Sequence, residues 1–185
     1  MKPVYIEEHC TLCPRKCGAN RQRQRGFCGA GDQICVARAA LHAWEEPVIS
    51  GEQGSGTVFF TGCPLKCCFC QNDKISIGHF GKEIRLAQLC EIFLELKRKG
   101  AVNINLVSST QYIPWIAAAI EELPADFSLP FVYNTGGYER VESLKMMDGH
   151  IQVYLPDIKY MDPARSIRYA KAPDYFECCS VSVLE

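Results

Sequence analysis

The chain has 185 residues, 48% of them apolar and 22% charged, with a formal net charge of −1. These proportions suit one globular domain, or one domain with a small appendage, and a charge this near zero exerts no general pull on DNA, RNA or an anionic membrane. No apolar run is long enough to span a bilayer and residues 1–8 lack the apolar stretch of a secretory leader, so the expectation is a cytoplasmic protein whose 12 cysteines serve metal rather than disulfides.

Residues 1–50 read as a Cys-rich metal-binding segment. Cys10-x2-Cys13-x3-Cys17-x10-Cys28 supplies four thiolates within 19 residues. Four ligands suffice for a closed zinc site or for a fully ligated iron–sulfur cluster, and the spacing does not choose between them or exclude unliganded packing cysteines. Cys35 is an alternative ligand. A segment so short and poor in apolar residues needs a metal to fold. Arg15, Lys16, Arg21, Arg23 and Arg25 are interleaved with these cysteines. They offer a docking surface for RNA or an acidic partner, or a solvated positive face; the lack of an accompanying aromatic row favours the second.

Gly51–Gly56 reads as a flexible connector, and residues 51–185 as the main unit. Val58-Phe59-Phe60 predicts a short strand. Leu86 to Lys99 has apolar residues at helical spacing and Gly100 as its stop. Residues 104–107, 131–133 and 151–155 predict strands, and residues 115–123 and 141–147 predict helices. Strands alternating with helices imply βαβ units and a parallel sheet, four units in all. Such a sheet gathers the segments beyond its strand ends on one face, where ligands bind. Here those segments are Cys63–Cys70, Ser108–Gln111, Asn134–Gly137, and Asp157 with Lys159. His9, His42, His79 and His150 show no metal-pair spacing.

The most informative segment comes directly after the first of these strands. Cys63, Cys67 and Cys70 are spaced Cys-x3-Cys-x2-Cys, three thiolates where an iron–sulfur cube usually has four. Three ligands leave one iron open, as catalytic metal sites require. Gly62 suits the strand-to-loop reversal and Pro64 stiffens the turn between the first two ligands. Cys68, beside a ligand, reads as a small packing residue. A zinc knuckle completed by His79 is the alternative.

The run Gly62-Cys63-Pro64-Leu65-Lys66-Cys67-Cys68-Phe69-Cys70-Gln71-Asn72 resembles the cluster loop of radical SAM (S-adenosylmethionine) enzymes. It is most similar to pyruvate formate-lyase activating enzyme and its relatives. Cys10–Gly18, Gly26–Gly29, Trp44–Pro47, Tyr133–Glu139, Tyr154–Tyr160 and Ala172–Tyr175 resemble a branch of activating enzyme-like proteins with an N-terminal four-cysteine motif. The resemblance implies a partial parallel (β/α) barrel and a [4Fe-4S] cluster on Cys63, Cys67 and Cys70. It implies reductive cleavage of SAM to a 5′-deoxyadenosyl radical that abstracts hydrogen, fed by an electron donor such as flavodoxin or ferredoxin and acting on a protein glycine or another substrate. Phe69 would lie by the adenine, Ser109 and Thr110 by the methionine amine, and Asn134, Asp157 and Lys159 beside the SAM or the substrate path. Cys10, Cys13, Cys17 and Cys28 would hold a second cluster or zinc.

Two departures stand out. Many relatives carry Gly-Gly-Glu where this chain has Ser108-Ser109-Thr110, and similar activases place an Asp, with a monovalent cation, where Asn134 stands. A barrel of this kind has six strand–helix units, so a chain of four is expected to be a fragment or to be completed by another chain. Residues 176–185 depart from the amphipathic helix expected there. The competing expectations are a non-catalytic iron–sulfur or zinc remnant and a zinc-knuckle RNA-binding protein.

Overall fold

Val58, Phe60, Ile104, Leu106, Phe131 and Tyr133 are almost wholly buried. They alternate along three strands, as the inward half of a strand must when one sheet face meets helices. The computed structural model describes Val4, residues 8–43 and residues 45–185; most of residues 1–8, expected to lack a secretory leader, and Trp44 of the Trp44–Pro47 motif lie outside the described residues. The strands are β1 (Ile34–His42), β2 (Ser55–Phe60), β3 (Lys82–Ile84), β4 (Ile104–Val107), β5 (Phe131–Thr135) and β6 (Val153–Pro156). They form one open sheet of six in the order β3-β1-β2-β4-β5-β6. β1 is antiparallel to β2 and β3, whereas β2, β4, β5 and β6 run parallel. The fold is mixed α/β.

The helices are α1 (Pro47–Ser50), α2 (Asp73–Ser76), α3 (Leu86–Arg98), α4 (Ile113–Glu121), α5 (Val141–Leu144), α6 (Pro163–Ala170) and α7 (Tyr175–Leu184). α3 buries Leu89, Phe93 and Leu96, spaced at four and three residues along one face. The Gln88 side chain accepts from the Arg85 N–H at 2.9 Å and holds the start of α3. α4 carries a Pro in its first turn, where no amide is missed, and buries Ile113, Trp115, Ile116 and Ala119. Both helices join the buried strand residues in one core. Phe93 meets Phe131 edge to face with centroids 5.3 Å apart; burying such a ring contributes about 3 kcal/mol.

Three expectations need correcting. The boundary at residue 50 does not separate two units, because β1 pairs with β2 along most of its length and its Ile34, Cys35 and Val36 belong to the main core. Ser55 and Gly56 likewise open β2 instead of ending a connector. Residues 175–184 do form a helix, though one with only the weak apolar face the sequence suggests: no Gly or Pro interrupts them, and Tyr175 and Cys179, one turn apart, are buried against a second cluster with Leu65, Tyr138 and Tyr160. Among the described residues no helix is long and apolar enough to cross a membrane.

Candidate metal centre

Because β2, β4, β5 and β6 are parallel, the segments at their C-terminal ends emerge along one edge of the sheet. The first is the triad loop. Gly62 enters it at φ +90°, and a Cβ there would stand 2.4 Å from the Cys28 carbonyl oxygen. Only glycine lets the loop approach the N-terminal segment this closely. Each triad sulfur meets a donor. The Leu65 N–H donates to Cys63 Sγ at 3.4 Å, the Tyr160 hydroxyl to Cys67 Sγ at 3.2 Å, and the Ser76 hydroxyl to Cys70 Sγ at 3.3 Å. Donors on sulfur favour thiolates and tune a metal group bound by them. Burial pushes the Cys63 thiol up to about 11, opposed by the Lys66 and Leu65 amides and reinforced by Cys67 and Cys70. Burial also raises Cys67, against the Tyr160 hydrogen bond and the Lys159 charge.

Three buried polar side chains tie neighbouring strand ends together. Gln111, 3% exposed, joins the segments after β2 and β4: its Nε2 donates to the carbonyls of Thr61 (3.0 Å), Gly62 (3.1 Å) and Ser108 (2.8 Å). Three surrounding carbonyls leave no alternative orientation for that amide. Glu139 joins β4 to β5, its Oε1 accepting from the Thr110 hydroxyl at 2.6 Å and from the Thr135 hydroxyl. Burial pushes the Glu139 carboxyl up to about 7, more than its hydroxyl donors pull it down. The Tyr133 and Ser109 hydroxyls and Glu139 Oε2 are buried without a partner in hydrogen-bond geometry, and burial, reinforced by the Glu139 charge, raises Tyr133. Tyr175 joins β5 to β6. Its hydroxyl accepts from the Lys159 N–H at 2.8 Å and lies 2.8 Å and 2.7 Å from the carbonyl oxygens of Gly136 and Asp157.

The expected cofactor contacts distribute unevenly over this edge. Phe69 is 61% exposed beside the triad, flanked edge-on by Tyr160 and Tyr169. The Lys159 ammonium and Asp157 carboxylate pair at 2.5 Å. Asn134 is half-buried at the end of β5, and its carbonyl accepts from the Ser108 N–H at 3.3 Å. Ser109 and Thr110 are buried, and the Thr110 hydroxyl is committed to Glu139. Cys68 is exposed, so it is not a packing residue. His79 packs its ring over Gly29, where a Cβ would stand 1.7 Å from Cε1. Gln111, Glu139, Tyr160 and Tyr175 carry more of the site than their sequence neighbourhoods suggest. Their only signal is a place just beyond strand ends or within the segments 133–139, 154–160 and 172–175.

The N-terminal cysteines lie against the same edge. The Lys16 N–H donates to the Cys13 carbonyl at 3.0 Å and the Gly18 N–H to the Cys10 carbonyl at 3.1 Å, closing a knuckle. Burial pushes Cys13 up to about 12 and also raises Cys28; the Arg15 and Ala30 amides, each two residues on, oppose this. A Cβ on Gly26 would sit 3.5 Å from Cys17 Sγ and 3.6 Å from Cys28 Sγ, so this glycine leaves free the space between two sulfurs. The Arg140 guanidinium donates to the Thr11 carbonyl at 2.6 Å and the Ser143 hydroxyl to the Leu12 carbonyl at 2.8 Å, docking the knuckle on α5.

Of the five basic residues, Lys16, Arg23 and Arg25 are exposed, as a solvated face requires, whereas Arg15 and Arg21 depart from it. Arg21 is 2% exposed, donates to the carbonyls of Gly31 and Gln111 at 2.7 Å each, and lies over Trp115. Arg15 donates to the carbonyls of Pro64 at 2.8 Å, Ala170 at 2.6 Å and Lys171, with its guanidinium over Phe27. Neither forms a free positive face; both bind backbone carbonyls inside the fold.

Among the described residues, no three His, Cys, Asp or Glu side chains are already drawn together closely enough to hold an ion. The donor chemistry of both cysteine groups nonetheless suits thiolate ligation. The triad sulfurs are individually hydrogen-bonded, and Gly26 leaves a cradle between Cys17 and Cys28.

Over 180 residues the chain is 32% identical to an uncharacterized protein of Methanocaldococcus jannaschii, an alignment that takes in 93% of this chain and 52% of that relative. The chain thus spans about half the length of the curated relative it matches. No family model matches the chain, and no solved structure gives a significant match.

Proposed function

We propose that this chain is a radical SAM iron–sulfur protein similar to pyruvate formate-lyase activating enzyme, its open sheet being part of a (β/α) barrel of that type. Cys63, Cys67 and Cys70 would hold a [4Fe-4S] cluster, and SAM would bind over the strand ends beside it. The supporting observation is the triad loop: three sulfurs, each with its own hydrogen-bond donor, at the end of β2. When bound, the cluster supplies the electron that cleaves SAM to a 5′-deoxyadenosyl radical for hydrogen abstraction.

The chain's own residues bind, orient and shield. Phe69, exposed beside Tyr160 and Tyr169, offers the adenine an aromatic face. Lys159, paired with Asp157, stands near enough to Cys67 to favour its thiolate, and the pair borders the SAM or the substrate path. The Thr110 hydroxyl is held by Glu139, so the methionine amine falls to the remaining oxygens of Ser108–Thr110. Gln111, Glu139 and Tyr175 fix the spacing between strand ends, so the ligand meets a preformed edge. A low-potential donor such as flavodoxin or ferredoxin would supply the electron, and a protein substrate would present the hydrogen.

Anaerobic reconstitution with iron and sulfide, then dithionite and SAM, tests this reading. Formation of 5′-deoxyadenosine that is lost in Cys67→Ala supports it. A well-formed cluster that leaves SAM intact sinks it and favours a non-catalytic iron–sulfur module.

A further inference from the structure

Two candidate metal groups far apart in sequence are joined by one backbone hydrogen bond and one arginine side chain. The Cys63 N–H donates to the Cys28 carbonyl at 3.2 Å, joining the first triad ligand to the last N-terminal one. Arg15 sits in the turn between Cys13 and Cys17, and its Nε donates to the Pro64 carbonyl between Cys63 and Cys67. The rest of its fork reaches the Ala170 and Lys171 carbonyls at the end of α6, whose dipole favours a cation there. Phe27, beside Cys28, has the Arg15 guanidinium 4.3 Å and the Lys66 ammonium 5.1 Å from its ring centroid. Thus the Cys28 carbonyl, one arginine fork and one aromatic ring all grip residues 63–66.

We propose that Cys10, Cys13, Cys17 and Cys28 form a closed four-thiolate metal site whose role is to clamp the triad loop, with Arg15 as the positioning residue that transmits its occupancy. The knuckle segment has little apolar surface of its own, so its shape depends on ligation. With metal bound, the Cys13–Cys17 turn is held and Arg15 keeps its three carbonyls. Without metal the turn loosens, the fork disengages and the triad loop loses its N-terminal wall. This deepens the radical SAM reading by explaining why a second cysteine group accompanies the triad, but it is tested separately from it.

The test uses the whole chain in a Cys67→Ser background, which removes one triad ligand, loaded anaerobically with zinc alone. Zinc content and amide hydrogen exchange are read together. About one zinc per chain is expected. Adding Cys17→Ser should release it and raise exchange across residues 62–72 by about tenfold or more, as loss of charge-assisted hydrogen bonds implies. Adding Arg15→Gln should keep the zinc and produce the same rise, while residues 104–107 of β4 stay protected. If Arg15→Gln loosens β4 as well, Arg15→Lys decides, since it keeps the charge and loses the fork; an intermediate rise at residues 62–72 is expected. Zinc retained in Cys17→Ser, zinc lost without effect on residues 62–72, or full protection in the deciding arginine variant would each overturn the proposal. None of these outcomes depends on whether the native triad holds a cluster, which the difference in iron content between the reconstituted unmutated chain and Cys67→Ser reports.

Discussion

Glu139→Gln isolates a carboxylate buried at the strand edge. The glutamate is 3% exposed, and burial raises its carboxyl from an ordinary 4.5 to about 7. Below pH 4.5 the group is protonated in both folded and unfolded chains and costs nothing. Between pH 4.5 and about 7 the unfolded chain releases the proton first, so stability falls as pH rises. Above that window both states are ionised and the full penalty persists, about 3 kcal/mol for a shift of this size. Glutamine keeps an oxygen that accepts from Thr110 and Thr135 but cannot ionise. Urea unfolding of the reduced, metal-free chain at pH 5, 6, 7 and 8 reads the difference. Cys13 and Cys63, raised to about 12 and 11, do not titrate in the folded chain over that range. The wild type should lose stability relative to Glu139→Gln as pH rises, the gap approaching about 3 kcal/mol at pH 8, less whatever weakening the neutral acceptor brings. A constant gap from pH 5 to 8, or a glutamine variant that loses ground as pH rises, would mean that the buried Glu139 carboxyl carries no such penalty.

Two further substitutions probe the triad loop. Gly62→Ala forces a side chain into φ +90° and onto the Cys28 carbonyl oxygen. It should destabilise the chain by about 3 kcal/mol in urea unfolding through backbone strain and the lost Cys63–Cys28 bond. Tyr160→Phe removes the hydroxyl donor at 3.2 Å from Cys67 Sγ. In the reconstituted protein it should lower the cluster midpoint potential by about 40 mV, the equivalent of one ordinary hydrogen bond, as read by redox titration.

The parallel half of the fold is legible because its strands are short apolar runs whose helices keep a strict spacing, as Leu89, Phe93 and Leu96 do. β1 is not. Its Ala37, Ala39 and Ala40 carry no strand signal, and its place is set by antiparallel pairing with β2, a long-range contact. α7 shows a weak apolar face, yet the burial of Tyr175 and Cys179 against the triad-side cluster holds it. Arg15 and Arg21 mislead for a related reason: charge in a sequence suggests solvent until the carbonyls that receive it are known. The spacing of Cys63, Cys67 and Cys70 after a short apolar run marks them as candidate ligands. The Tyr160 and Ser76 donors that reach two of those sulfurs come from elsewhere in the fold and could not be paired with them from the sequence.

In the proposed function SAM binds directly to a cluster held by Cys63, Cys67 and Cys70. Electron–nuclear double resonance of the reduced, reconstituted protein with SAM labelled at its amine nitrogen tests it most directly. A hyperfine coupling to the labelled nitrogen, absent in Cys67→Ala, is the expected result. A reduced cluster whose spectrum is untouched by labelled SAM would contradict the claim.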